Sequence, residues 1–154
     1  MVKGKLMDWR VRPKIEDLYM RFAEEVSRMS TCKRLRVGCV IVSGDMQSIL
    51  SFGYNGNYKK GPNICDSDEV GNCGCIHAEV NALIKAQKDP KKTIFLTDSP
   101  CLACTKLIIN SGAKAIVYKR EYRTKKHLKL LNEAGIEIFQ YRGGGLTMIR
   151  RLFR

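Results

Sequence analysis

His77-Ala78-Glu79 and Ser99-Pro100-Cys101-Leu102-Ala103-Cys104 are the residues of this 154-residue chain whose types and spacing point most directly to chemistry. Each group lies at the predicted start of a helix. Cysteines three apart at a helix start face nearly the same way and can share one ion, and an imidazole from a neighbouring helix end supplies a third ligand. Three ligands leave a tetrahedral zinc one open position, in which water ionises near neutral pH. Glu79, two residues after His77, is then placed to look into the same pocket without ligating and to shuttle protons. The positive ends of the two helices favour thiolate over thiol at Cys101 and Cys104. Two plainer readings compete. One is a closed structural zinc knuckle, which needs a fourth ligand beside these three; the other, for the C-x-x-C pair alone, is a redox dithiol.

The elements that must position these groups follow from periodicity. After Pro13, the residues Ile15, Leu18, Tyr19, Phe22, Ala23, Val26 and Met29 recur at three- and four-residue spacing and predict a helix with one apolar stripe. VGCVIV at 37–42 and a second run ending near Gly53, joined across Ser43-Gly44-Asp45, predict a β-hairpin. Residues 54–75, rich in Gly, Asn, Asp and Cys, form a loop of functional length. A helix from Ala78 to Ala86 stops before Asp89-Pro90, TIFLT at 93–97 is a buried strand, and Leu102 to Ser111 is a helix closed by Gly112. KAIVY at 114–118, a helix from His127 to Ala134 ended by Gly135, and IEIFQ at 136–140 complete the order α-β-β-α-β-α-β-α-β. That order predicts an α/β protein with one five-stranded mixed sheet and helices on both faces. The last stretch, YRGGGLTMIRRLFR, follows a triple-glycine hinge and is expected either to dock as a basic helix or to fray.

Length and composition narrow the classes further. One domain spanning 1–154 is expected, with its core at about 15–140 and a basic tail at 141–154. No run of eighteen apolar residues and no signal-peptide pattern is present, which predicts a soluble, cytoplasmic protein without membrane contact. Seven cysteines, an odd number without an export signal, favour reduced thiols kept for metal over disulfides. The formal charge of +13 is concentrated at the two ends and the centre is balanced. This favours an anionic partner without separating a nucleic-acid strand from a phosphorylated small molecule. Cys39 alternates within an apolar strand and reads as core. Trp9 reads as an anchor for the N-terminal arm, and His127 as a residue on a solvated helix face.

The spacing H-x-E with P-C-x-x-C is the signature of zinc nucleobase deaminases. The flanks Ser30-Thr31-Cys32-Lys33-Arg34, Val37-Gly38-Cys39-Val40-Ile41-Val42, Gly53-Tyr54-Asn55-Gly56 and His77-Ala78-Glu79-Val80-Asn81-Ala82 are similar to the deoxycytidylate deaminase family over about residues 15–140. The resemblance implies the three-layer α/β/α cytidine-deaminase-like fold and conversion of dCMP to dUMP for thymidylate synthesis. It also implies homohexamers activated by dCTP and inhibited by dTTP, with Mg2+ accompanying the triphosphates. Carried over by position, His77, Cys101 and Cys104 hold the catalytic zinc and Glu79 is the proton shuttle. Ala78 and Asn55 contact the substrate, and Tyr122 closes over it. Arg28, Arg34, Arg120 and Arg123 are the phosphate candidates, because a guanidinium fork matches a phosphate. Gly53, Tyr54, Asn55 and Gly56, with Lys59 and Lys60 just beyond, are the effector candidates. Cys32, Cys65, Cys73 and Cys75 match places where some family members hold a second, structural zinc; unligated loop thiols are the plainer alternative. A polynucleotide deaminase of the same fold, acting on tRNA adenosine or single-strand cytosine, is the rival reading, but no basic and aromatic alternation marks a strand-binding groove.

Overall fold

The computed structural model describes residues 10–123 and 125–149. Trp9 and the last residues of the basic tail lie outside that range. Helix α1 spans Ile15–Ser27, followed by β1 (Gly38–Val42), β2 (Ile49–Tyr54), α2 (Ala78–Leu83), β3 (Thr93–Asp98) and α3 (Leu102–Asn110). β4 (Ala115–Arg120), α4 (Lys126–Glu133), β5 (Glu137–Arg142) and β6 (Gly145–Met148) complete the chain. The strands form one mixed sheet in the order β2-β1-β3-β4-β5-β6. β1 runs antiparallel to both β2 and β3, β3, β4 and β5 are parallel, and β6 returns antiparallel to β5.

The sheet therefore has six strands where five are predicted. The sixth comes from the glycine-rich stretch, which forms neither a docked helix nor a frayed end over residues 145–148. Gly143 and Gly144 have φ values of 47° and 90° and make a two-residue turn that pairs Arg142 with Gly145. Positive φ at both central positions gives the turn a twist that matches its strands, and glycine adopts it without strain. Ile149, just past the strand, is buried against the core and supplies the apolar contact that holds the return strand.

Alternation along the strands divides the core into two layers. Val40, Val42, Phe95 and Val117 face α1, and Cys39, Ile41, Ile94, Leu96, Ile116, Tyr118 and Ile138 face α2, α3 and α4. Central strands buried on both faces read as near-continuous apolar runs, and every residue of β1 and β3 is buried, Thr93, Thr97 and Asp98 at the ends of β3 included. The buried face of α1 is Tyr19, Met20, Ala23 and Val26, whereas Ile15, Leu18 and Met29 of the predicted stripe are exposed. Gly38 sets that face: a Cβ there would stand 1.9 Å from the carbonyl oxygen of Ala23, so the helix sits directly on the strand. Among the described residues no helix is long and apolar enough to cross a membrane.

Candidate functional site

The site is built at the ends of α2, β3, α3 and β4, along the carboxyl edge of the parallel strands, where open α/β sheets present their ligand sites. α2 is held in place by β2. Ser51 Oγ donates to the Ala82 carbonyl (2.7 Å) and Asn81 Nδ2 donates to the Tyr54 carbonyl (2.9 Å). Gly53 permits the approach, because a Cβ at that position would lie 2.5 Å from both Ala78 O and Ala82 N. This fixes His77 as the residue before the first turn of α2 and Glu79 within that turn. Cys101 occupies the same place before α3, where its Sγ accepts the Cys104 N–H (3.5 Å).

His77 Nδ1 is 3.4 Å from the Sγ of Cys101 and 3.4 Å from the Sγ of Cys104. Zinc with ordinary bond lengths to nitrogen and sulfur, at tetrahedral angles, separates such ligand atoms by roughly 3.5 Å. The donor set and its spacing fit that ion. The two thiols titrate apart because each sets the other: Cys101 is pulled down to about 3, first by its contact with Cys104 and against its burial, and Cys104 is pushed up. His77 is held above its ordinary range, mainly by Cys101. Contact between the imidazole and the two thiols thus favours the thiolate at Cys101.

Glu79 is 4% exposed. Burial pushes its carboxyl up to about 7, against the opposing pull of its backbone hydrogen bond and of nearby His77. A carboxyl balanced near neutrality both takes and gives protons, which is what a shuttle requires. Cys39 lies near it as buried core, as the strand pattern predicts, with its thiol raised by burial and by Glu79.

A cavity of about 700 Å³ opens over the trio, with Ala78 and Glu79 in its wall. Asn55 lines it too, but both ends of its amide are engaged: Oδ1 accepts from Val37 N (2.8 Å) and Nδ2 donates to Leu35 O (2.7 Å). Of the phosphate candidates, Arg34, Arg120 and Arg123 reach the cavity. Arg28 does not line it; it is exposed and paired with Glu25 at 3.1 Å. Arg120 is forked onto Asp98, whereas Arg34 donates to the Asp68 carbonyl and Arg123 stacks on Tyr122 with its centre 4.9 Å from the ring. The effector candidates divide similarly. Gly53 and Tyr54 are committed to packing against α2 and the α1 layer, Gly56 pairs with Ile76, and Lys59 and Lys60 are exposed and away from the cavity wall.

The loop cysteines form a second cluster. All four sulfurs lie within 4.8 Å of one another, with Cys32 to Cys73 at 3.9 Å and Cys65 at 3.7 Å from both Cys32 and Cys75. No disulfide forms. Four thiolates around a tetrahedral zinc stand roughly 3.8 Å apart, so this set fits a closed site. Burial raises the Cys32 thiol, but the backbone N–H groups of Leu35 and Arg34 and the neighbouring thiols outweigh it and bring it down to about 7. Cys32, Cys73 and Cys75 also line the main cavity, so the two clusters share a wall.

Asp98, Gly71 and Asn72 line the cavity without having been singled out from sequence, and Ser99 was read only as part of the cysteine motif. Asp98 and Ser99 carried a usable signal, being polar residues at the end of an otherwise apolar strand that enters the C-x-x-C turn. Gly71 and Asn72 carried none, because their placement depends on how the loop folds around its cysteines.

Residues 13–120 match the model of the cytidine and deoxycytidylate deaminase zinc-binding region. The deoxycytidylate deaminase of Saccharomyces cerevisiae is 33% identical over 153 residues, covering 90% of this chain and 48% of that protein. The deoxycytidylate deaminase of Schizosaccharomyces pombe is 32% identical over 148 residues, covering 86% of this chain and 45% of that protein. The chain thus spans about half the length of these curated relatives. The crystal structure of the dCMP deaminase from cyanophage S-TIM5 in complex with dCMP and dUMP superposes with a TM-score of 0.77 at 34% identity, covering 85% of this chain and 99% of that one.

Proposed function

Because the chain belongs to the cytidine and deoxycytidylate deaminase family, we propose that it hydrolyses the 4-amino group of dCMP, giving dUMP and ammonia. The observation that carries this reading is the buried carboxyl of Glu79 beside the His77, Cys101 and Cys104 trio, at the floor of a cavity that also presents guanidinium groups. His77, Cys101 and Cys104 would hold the zinc, which when bound supplies a polarised water of lowered pKa. Glu79 takes a proton from the attacking water and passes it to ring N3. It then delivers the second proton to the departing amine as the bond from C4 to nitrogen breaks. Water is thereby divided between the new C4 oxygen, the proton kept on N3 and the released ammonia, with no oxidant or reductant required.

Tyr122 closes the mouth of the cavity. Arg123 and Arg34 receive the 5′-phosphate, since neither has a carboxylate partner among the described residues, whereas Arg120 is neutralised by Asp98. Incubation of the zinc-loaded chain with dCMP is expected to release ammonia and dUMP stoichiometrically. Faster deamination of cytidine or of single-stranded DNA than of dCMP overturns the substrate assignment. Activation by dCTP, inhibition by dTTP, Mg2+ on the triphosphates and a hexameric assembly rest on the family likeness. Rates at low dCMP that ignore both triphosphates remove the regulatory part of the reading.

Cys32, Cys65, Cys73 and Cys75 hold a second zinc in a purely structural role, supported by the spacing of their sulfurs. Cys65 lies outside the cavity wall, so Cys65→Ser isolates this site from the reacting centre. Metal analysis is expected to give two zinc ions per wild-type chain and one per variant chain; one in both removes the second site.

A further inference from the structure

The ends of β3 and β4 carry a set of contacts that the hydrolytic chemistry does not use. Asp98 is buried, and its carboxylate accepts Nε and Nη2 of Arg120, both at 3.0 Å, and the hydroxyl of Thr97 at 2.8 Å. Asp98 and Arg120 are also register partners across the parallel strands, so the fork ties the two strand ends together. One residue further on, Ser99 Oγ accepts the Tyr122 N–H (2.7 Å) and the Ser99 N–H donates to the Arg120 carbonyl (2.8 Å). The next residue, Arg123, has a φ of 45°, a left-handed conformation that a non-glycine residue keeps only where its surroundings over-determine it. Its guanidinium lies over the Tyr122 ring and against Gly71, where a Cβ would stand 2.8 Å from Nη1.

We propose that Asp98, Arg120 and Ser99 are positioning residues that fix the Tyr122 and Arg123 lip over the cavity, and so set affinity for the phosphate-bearing end of the nucleotide rather than the rate of hydrolysis. This rests on the nucleotide reading given above. A bidentate fork between a guanidinium and a buried carboxylate is directional and stiff, so the lip is ordered before substrate arrives. Ordering a loose lip at the moment of binding would reduce affinity. Glu79 and His77 are held separately, through α2 on β2, so loosening the lip leaves the reacting groups in place. The same fork neutralises Arg120, whereas Arg123 has no carboxylate partner among the described residues.

Steady-state kinetics of the zinc-loaded full chain with dCMP and with deoxycytidine tests this in Arg120→Gln, Ser99→Ala and Ser99→Thr. The Arg120 side chain is 56% exposed, so its truncation leaves no core cavity and that variant decides the matter even if Ser99→Ala fails to fold. In Arg120→Gln and Ser99→Ala the KM for dCMP is expected to rise about tenfold with kcat within about twofold. Their kcat/KM for deoxycytidine, which has no phosphate for the lip to hold, stays near wild type. Ser99→Thr, which keeps the hydroxyl acceptor, restores the KM. An unchanged KM for dCMP, or a parallel fall in kcat for both substrates, overturns the inference. Wild type that leaves dCMP untouched overturns the nucleotide reading instead, so the two failures are told apart.

Discussion

Glu79→Gln is expected to lower kcat for dCMP by about 10³-fold, in the middle of the range that positioned acid–base groups contribute, and to keep the zinc content of the wild-type chain. The size of the effect follows from where the carboxyl sits. It is 4% exposed, so bulk water has little access from which to replace the missing proton carrier. Glutamine fills the same volume and can occupy the same turn of α2, so packing is retained and the loss reports proton transfer. Removing an ionisable group from a buried position also relieves its desolvation, and the variant is expected to melt no lower than wild type. Rapid-quench measurement of a single turnover, alongside zinc analysis and a thermal melt, separates the outcomes. Unchanged single-turnover rates would remove Glu79 from the chemistry, whereas lost zinc would assign it to the ligand set.

The position of Glu79 was legible in the sequence because the chemistry is local: two helix starts, each preceded by a strand or a loop, carry H-x-E and C-x-x-C at fixed offsets. The strands of the sheet centre were legible for a similar reason, since β1 and the Ile94, Phe95 and Leu96 run of β3 are buried on both faces and therefore apolar. β6 is less legible: the Gly143-Gly144 pair is a two-residue hairpin signal, but Leu146 and Met148 are its only strand-like alternation and basic residues follow at once. The apolar stripe of α1 was read one position off centre, because Gly38, 23 residues after the helix begins, decides which side of α1 comes down on the sheet.

The phosphate candidates show the limit most clearly. Sequence ranked Arg28, Arg34, Arg120 and Arg123 alike, since an arginine's charge is visible and its partner is not. The partner of Arg120 is Asp98, 22 residues away, and the partner of Arg28 is Glu25, one turn back along the chain. What distinguishes Arg34 and Arg123 is the lack of a carboxylate partner among the described residues, a property of three-dimensional packing alone. The loop cysteines lie between these cases. Their number suggested a metal, and only the fold could bring Cys32, 33 residues from Cys65, to 3.7 Å from it.

His77→Ala is expected to abolish turnover and to remove the reacting-centre zinc, leaving one ion per chain at the loop cysteines. Its effect on stability discriminates further. His77 is solvent-exposed, so truncating its ring removes little buried apolar surface, and a large fall in melting temperature must come from the metal it no longer holds. An ion that binds only the folded chain stabilises it according to its free concentration and affinity. Wild type treated with a chelator should therefore fall toward the melting temperature of the variant. The variant itself should respond to the same chelator only through the loop site, and that residual response should vanish in His77→Ala combined with Cys65→Ser. Cys101 and Cys104 alone make a weak pair, because two protein ligands hold zinc less firmly than the three a catalytic site uses. A His77→Ala chain that still binds two zinc ions tightly and melts with wild type would place the ligand elsewhere, and with it the open position on which the hydrolytic chemistry depends.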